Sequence, residues 1–284
     1  MCSYYYSLNI YQRYLNSLLN FFNMTKEIWI IILCIILLSS IVKGTTGFGF
    51  ALFSFPILAH FLPVRSVVPL ITFINLFTSV IIILQMHKPT LKKKSIFVLC
   101  ITGSLGVIIG TIALKHLPEF TLKLFASIIL IIISIFFLTG YRFNIRKIKR
   151  GSIIAGLTSG FLGGSLSISG PPLALFLTSI KIDANNFRHT FAWFNIITAS
   201  IALIDYLKIG IINRNTLCIF LLSIPILLVG VRLGKFLNQV LPVAIFYKVV
   251  VLVTLLSGIL LAYTTIQKID IHAMLSNLNL HQHF

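Results

Sequence analysis

The stretch Gly160-Phe161-Leu162-Gly163-Gly164-Ser165-Leu166-Ser167-Ile168-Ser169-Gly170-Pro171-Pro172 interrupts an otherwise apolar sequence. Glycine lets a helix unwind and lets another group approach the backbone. Pro171 or Pro172 can then open the next helix, where a missing N–H costs little. The stretch therefore reads as a helix that stops and restarts. An earlier segment, Lys43-Gly44-Thr45-Thr46-Gly47-Phe48-Gly49, reads the same way. Backbone groups freed by such breaks find no water in hydrocarbon, so both belong inside protein or on an aqueous cavity.

The surroundings make hydrocarbon the relevant solvent. Of 284 residues, 58% are hydrophobic and 10% charged, with a mean hydropathy of +1.03, beyond the range of water-soluble domains. Apolar runs fall at about 28–43, 47–62, 67–86, 95–114, 121–140, 151–164, 171–180, 190–207, 215–237 and 243–264. Crossing about 30 Å at about 1.5 Å per residue takes about 20 residues. The third, fourth, fifth, eighth, ninth and tenth runs reach or approach that length, whereas the first two and the sixth and seventh are short. The fold class is all-α, a polytopic membrane protein whose surroundings are the lipid bilayer.

The net charge of +18 would point to nucleic acid in a soluble protein. Here the basic residues lie between apolar runs, where cytoplasmic loops meet anionic headgroups, so no nucleic-acid partner is expected. Cys2, Cys34, Cys100 and Cys218 are widely spaced, and no histidines stand at ligand spacing, so neither a disulfide framework, a metal nor a cofactor is expected.

Three blocks recur in order. Gly44, Gly47 and Pro56 have the mutual spacing of Gly160, Gly163 and Pro172. Asn75-Leu76-Phe77-Thr78 answers Asn195-Ile196-Ile197-Thr198. Gly106, Gly110 and Leu117-Pro118 answer Gly230, Gly234 and Leu241-Pro242, the glycines reading as packing surfaces. The chain accordingly divides into a tail at 1–26, a first membrane repeat at 27–145, a second at 146–264 and a tail at 265–284. The first 23 residues lack the features of a signal peptide, and Met24 resembles a natural start.

The densest basic loops, Lys88 with Lys92, Lys93 and Lys94, and Arg142 with Arg146, Lys147, Lys149 and Arg150, belong in the cytoplasm by the positive-inside rule. With two spans between them, the third segments of the two repeats run in opposite directions. The repeats are then inverted, each with a broken or re-entrant pair plus three transmembrane helices, an arrangement shared by many secondary transporters.

A helix that starts at mid-membrane presents unpaired N–H groups and the positive end of its dipole, both attractive to an anion. The candidate substrate-binding set is Thr45, Thr46, Gly47, Gly49, Asn75, Gly163, Gly164, Ser165, Ser167, Ser169, Gly170, Pro171, Arg188 and Asn195. Taken singly, either glycine-rich loop reads as a close-packing surface; their matching places in two repeats favour a site. Arg188 reads equally as a loop charge or a cavity cation. Lys43 can snorkel or lend charge to the site, and Asp205 reads as interfacial.

At these residues the chain resembles the sulfite exporter TauE/SafE family, also called the toluene sulfonate uptake permeases, over about residues 27 to 264. Gly163-Gly164-Ser165, Ser169-Gly170-Pro171-Pro172-Leu173 and Phe187-Arg188 are similar to that family's glycine-rich loop, Ser-Gly-Pro-Pro turn and downstream arginine. The first loop departs from it, with Gly47-Phe48-Gly49-Phe50 in place of consecutive glycines. The resemblance implies movement of sulfite, sulfonates or related anions across a bacterial inner membrane, coupled to protons. A homo-oligomer is compatible with this build. The alternatives are a membrane enzyme acting on lipid or an isoprenoid phosphate, and a non-transporting scaffold. The enzyme lacks its usual paired carboxylates or metal cluster; the scaffold gives no reason for paired broken helices.

Overall fold

The computed structural model describes residues 26–85, 93–139, 148–180, 182–240 and 243–280. Those residues form ten helices: α1 Lys26–Thr46, α2 Phe50–Phe61, α3 Val64–Leu84, α4 Lys93–His116, α5 Glu119–Thr139, α6 Ile148–Leu166, α7 Gly170–Ser179, α8 Ala184–Ile209, α9 Arg214–Val240 and α10 Val243–Leu280. Seven of them, α1, α3, α4, α5, α8, α9 and α10, are long and apolar enough to cross a bilayer. α2 and α7, of 12 and 10 residues, are not.

The two interruptions are narrower than the sequence implies. α1 continues through Gly44-Thr45-Thr46, which gives it spanning length and corrects the count of the run at 28–43 as short. Only Gly47, Phe48 and Gly49 break it. α6 likewise continues through Gly160, Gly163 and Gly164, leaving Ser167, Ile168 and Ser169 as the break. The helix holds because the glycines form a seam, where a close neighbour supports the backbone. A Cβ added at Gly160 would stand 2.0 Å from Gly103 O, and one at Gly164 2.4 Å from Val107 O, both on α4. From the other side, a Cβ at Gly106 would meet Leu157 O at 2.3 Å.

The same seam occurs between α1 and α9. A Cβ at Gly44 would lie 2.6 Å from Val231 O, and one at Gly234 2.4 Å from Ile41 O. In both packings, α4 on α6 and α9 on α1, backbone approaches backbone directly, and small residues are what such approach demands. Other pairings also come in twos: α4 with α8 and α9 with α3, α1 with α2 and α6 with α7. α3 packs on α8, and α5 on α10.

α3 and α8 form the middle and are more buried than α5, α9 and α10. The outer helices turn bare apolar side chains outward, Ile101, Leu105, Ile108 and Ile112 on α4 among them. At i, i+4, i+7 spacing these make one stripe, unsuitable for water and suited to lipid. At one end of the bundle Arg65 Nη2 donates to Lys115 O at 3.0 Å and Leu117 O at 3.1 Å, covering the last carbonyls of α4. Glu119 Oε1 accepts from Val64 N at 3.1 Å and pairs with Lys123 at 3.2 Å.

Lys88, Lys92, Arg142, Arg146 and Lys147, on which the orientation rests, lie outside the described residues, as do the tail at 1–25 and the Leu241-Pro242 match.

Candidate functional site

Near its middle α3 carries Asn75, and α8 carries Asn195. Both are buried, and a buried amide in an apolar span requires partners. Lys43, on the last turn of α1 and 1% exposed, supplies the first: its Nζ donates to Asn75 Oδ1 at 2.9 Å, Asn75 O at 3.0 Å and Ser79 Oγ at 3.2 Å. Ser169, just before α7, supplies the second by donating from Oγ to Asn195 Oδ1 at 2.9 Å. These bonds hold both interruptions against the midpoints of the two central helices.

Between them lies a small cavity in two parts that share lining residues. One, of about 20 Å³, is lined by Thr72, Gly163, Thr198 and Ala202 among others; the other, of about 10 Å³, by Lys43, Gly49, Phe50, Gly170 and Phe191 among others. Asn75, Ser167, Ser169 and Asn195 face both parts. The volume suits water-sized occupants.

Two helix N-termini front on it. α2 starts after Gly49, whose φ of 92° is a left-handed conformation that glycine adopts without cost, and no side chain caps it. α7 starts after Ser169, also without a side-chain cap. Uncapped first-turn N–H groups and two positive dipole ends therefore converge. Lys43 is the only charged side chain among the described lining residues. The arrangement can coordinate a small anion by hydrogen bonds and the positive ends of the two helix dipoles, with no covalent step.

The second break is held by hydroxyls. Ser167, at φ 59°, donates from Oγ to Val68 O at 2.8 Å and lies against Thr72 Oγ1. Tyr206 donates from its hydroxyl to Gly164 O at 2.7 Å. The first break is held by Arg188, whose Nη2 donates to Thr45 O while its side chain covers Gly47. Phe48 completes that closure by packing on Phe187 and Phe191, with ring centroids 5.6 and 5.5 Å away.

Of the residues singled out from sequence, Asn75, Gly163, Ser167, Ser169 and Asn195 come together on the wider part, and Gly49 and Gly170 join them on the narrower. Pro171 is buried in the first turn of α7. Others are engaged elsewhere. Thr45 and Thr46 donate to carbonyls of their own helix, Ser165 donates to Phe161 O, Gly164 belongs to the α4 seam, and Arg188 and Gly47 meet behind the first break. Lys43, Thr72 and Thr198 stand at the cavity without having been in the candidate set; the signal for Lys43 was a cation inside an apolar run. Asp205 is half-buried away from the cavity, and its Oδ2 accepts from Thr111 Oγ1 at 3.3 Å.

Outside the bundle's spans, Asp183 caps α8, accepting from Asn186 N at 3.1 Å. The backbone bond from Asn186 holds its carboxyl below the usual aspartate range, aided by the Asn186 side chain.

Seven helices long and apolar enough to cross a bilayer, with lipid-suited side chains outside, define a multi-pass membrane protein. The chain belongs to the TauE/SafE family: the family model described as "Sulfite exporter TauE/SafE" matches residues 31–261. No curated protein and no solved structure matches it.

Proposed function

We propose that this protein is a secondary transporter of small oxyanions, sulfite or a sulfonate foremost, and that the cavity between the two interruptions is its substrate site. The observation that carries this reading is the convergence of two uncapped helix N-termini, with Lys43 beside them, on one cavity whose described lining holds no carboxylate. An anion there gains backbone donors and dipole charge in a low dielectric. The family supplies transport of sulfite as the matching chemistry.

Transport needs an outward and an inward state, and two inverted repeats at 27–145 and 146–264 provide them by exchanging conformations. Paired helix contacts that map onto each other when the halves are exchanged support that reading. So do the two glycine seams. Thr45, Thr46, Gly47 and Arg188 form the wall that must move for substrate to pass. A coupling proton and residence in a bacterial inner membrane complete the proposal.

Flux in proteoliposomes tests it. Saturable uptake of labelled sulfite or methanesulfonate is expected, with the apparent KM raised about tenfold by Ser169→Ala in monodisperse, folded protein, the loss of one hydrogen bond to a buried partner. Absence of flux for a panel of small anions, with folded protein, overturns it.

A further inference from the structure

In its protonated form the Lys43 ammonium has three N–H donors, and three acceptors stand within reach to take them: Asn75 O, Asn75 Oδ1 and Ser79 Oγ. All three acceptors belong to α3. None of its donors is left over for a ligand, although the residue lines the cavity.

What Lys43 does fix is the polarity of Asn75. A carboxamide has two faces, an oxygen that repels an anion and an NH2 that binds one, and the hydrogen-bond network decides which way each points. An ammonium can only donate, so the atom against it must be Oδ1 and the opposite atom Nδ2. At the answering position, Ser169 occupies Asn195 Oδ1. Both amide oxygens are thus taken, while both asparagines line the two parts of the cavity. Among the described residues neither Nδ2 has a protein acceptor, and neither is a sealed, unpartnered atom of the kind that Ser134 Oγ or Thr190 Oγ1 is.

Resting on the substrate site proposed above, we infer that Lys43 is a positioning residue. It holds the Asn75 carboxamide with its NH2 toward the cavity, so that Asn75 Nδ2 and Asn195 Nδ2 together bind two oxygens of one oxyanion. The two donors approach from α3 and α8, one from each half. Ligands with two or more lone-pair oxygens on one centre, such as sulfite or a sulfonate, fit this pair; a halide, with one centre and no such oxygens, does not.

The test is a double-mutant cycle on the full chain in proteoliposomes, using labelled sulfite and, as competitors, methanesulfonate and chloride. Lys43→Met frees the amide to turn, and Asn75→Leu removes it; each is expected to raise the apparent KM for sulfite about tenfold or more. Lys43→Met/Asn75→Leu is expected to be no worse than Asn75→Leu alone, because Lys43 acts only through that amide. In the wild type methanesulfonate competes and chloride does not; in Lys43→Met that preference narrows. Multiplying effects in the double variant would make Lys43 a direct charge contact and overturn the inference, while wild-type flux would leave the proposed function standing. If Lys43→Met fails to fold, Asn195→Leu and Ser169→Ala form the equivalent cycle: each alone raises KM and the pair adds nothing, and multiplying effects there count against the inference equally. Wild-type protein that moves no anion overturns the proposed function itself.

Discussion

The two interruptions make the same bend from different materials. The first uses glycine: Gly47 and Gly49 stand at φ 83° and 92°, and the bend is covered by Arg188 and three phenylalanines. The second uses serine: Ser167 takes φ 59° and is held by Val68 O and Thr72. What each offers the cavity differs accordingly. Phe50, Ala51 and Leu52 open α2 with their N–H groups ahead of the first intrahelical bond, from Phe53 N to Gly49 O at 3.2 Å. Pro171 and Pro172 leave α7 two backbone donors fewer, and the hydroxyl protons of Ser167 and Ser169 are taken by Val68 O and Asn195 Oδ1. Two segments that answer one another in sequence thus differ in what they offer: free backbone donors open α2, whereas α7 has fewer.

The largest test of the comparison lies beneath both bends, in the seams they share. Gly160→Leu and Gly44→Leu would each drive a side chain into backbone 2.0 and 2.6 Å away, and each is expected to cost about 3 kcal/mol or more. Loss of monodisperse protein on size exclusion for both variants is the expected outcome; a well-folded one would end the parity between halves.

Next come the bends themselves. Gly47→Ala combines φ 83° with a Cβ 2.7 Å from Arg188 Cγ, and about 1–3 kcal/mol of destabilisation is expected from the backbone conformation alone. Ser167→Gly relieves the backbone but removes the hydroxyl, so its net effect stays within about 1 kcal/mol. Thermal melts in one detergent separate them, and equal shifts would show that the bends are built alike after all.

The smallest effect belongs to the cap of α8, a feature without a described counterpart on α3, where Pro63 stands and makes no side-chain cap. Asp183 has a depressed folded pKa, so its contribution is present above the ordinary aspartate value near about 3.9 and is lost as pH falls through the folded value. Asp183→Ala is expected to flatten a slight fall in melting temperature below pH about 4, and an unchanged acid limb in that variant counts against the assignment.

Much of this was legible from the chain alone, for stated physical reasons. Apolar runs gave the spans because lipid admits little else, and glycines at fourfold spacing gave the seams because only close packing needs them. Asn75 and Asn195 stood out as buried amides. Less legible was where each break begins. Gly160 and Gly164 look like unwinding signals until α4 is seen against them, since the same residue permits both a bend and a close approach. Arg188 showed its charge but not its target, a carbonyl more than a hundred positions away. Lys43 showed neither its acceptors nor its effect on an amide, because a long flexible side chain leaves no trace of its reach in local spacing.

The seams also cross over. α4 clasps α6, and α9 clasps α1, so the interrupted helix of each half is sheathed by a helix of the other. Without α4 and α9, α6 and α1 would thus present bare glycine ridges with nothing to cover them. Each glycine-lined helix therefore depends for its packing on a helix far from it in the chain, so the fold is woven rather than assembled from neighbours.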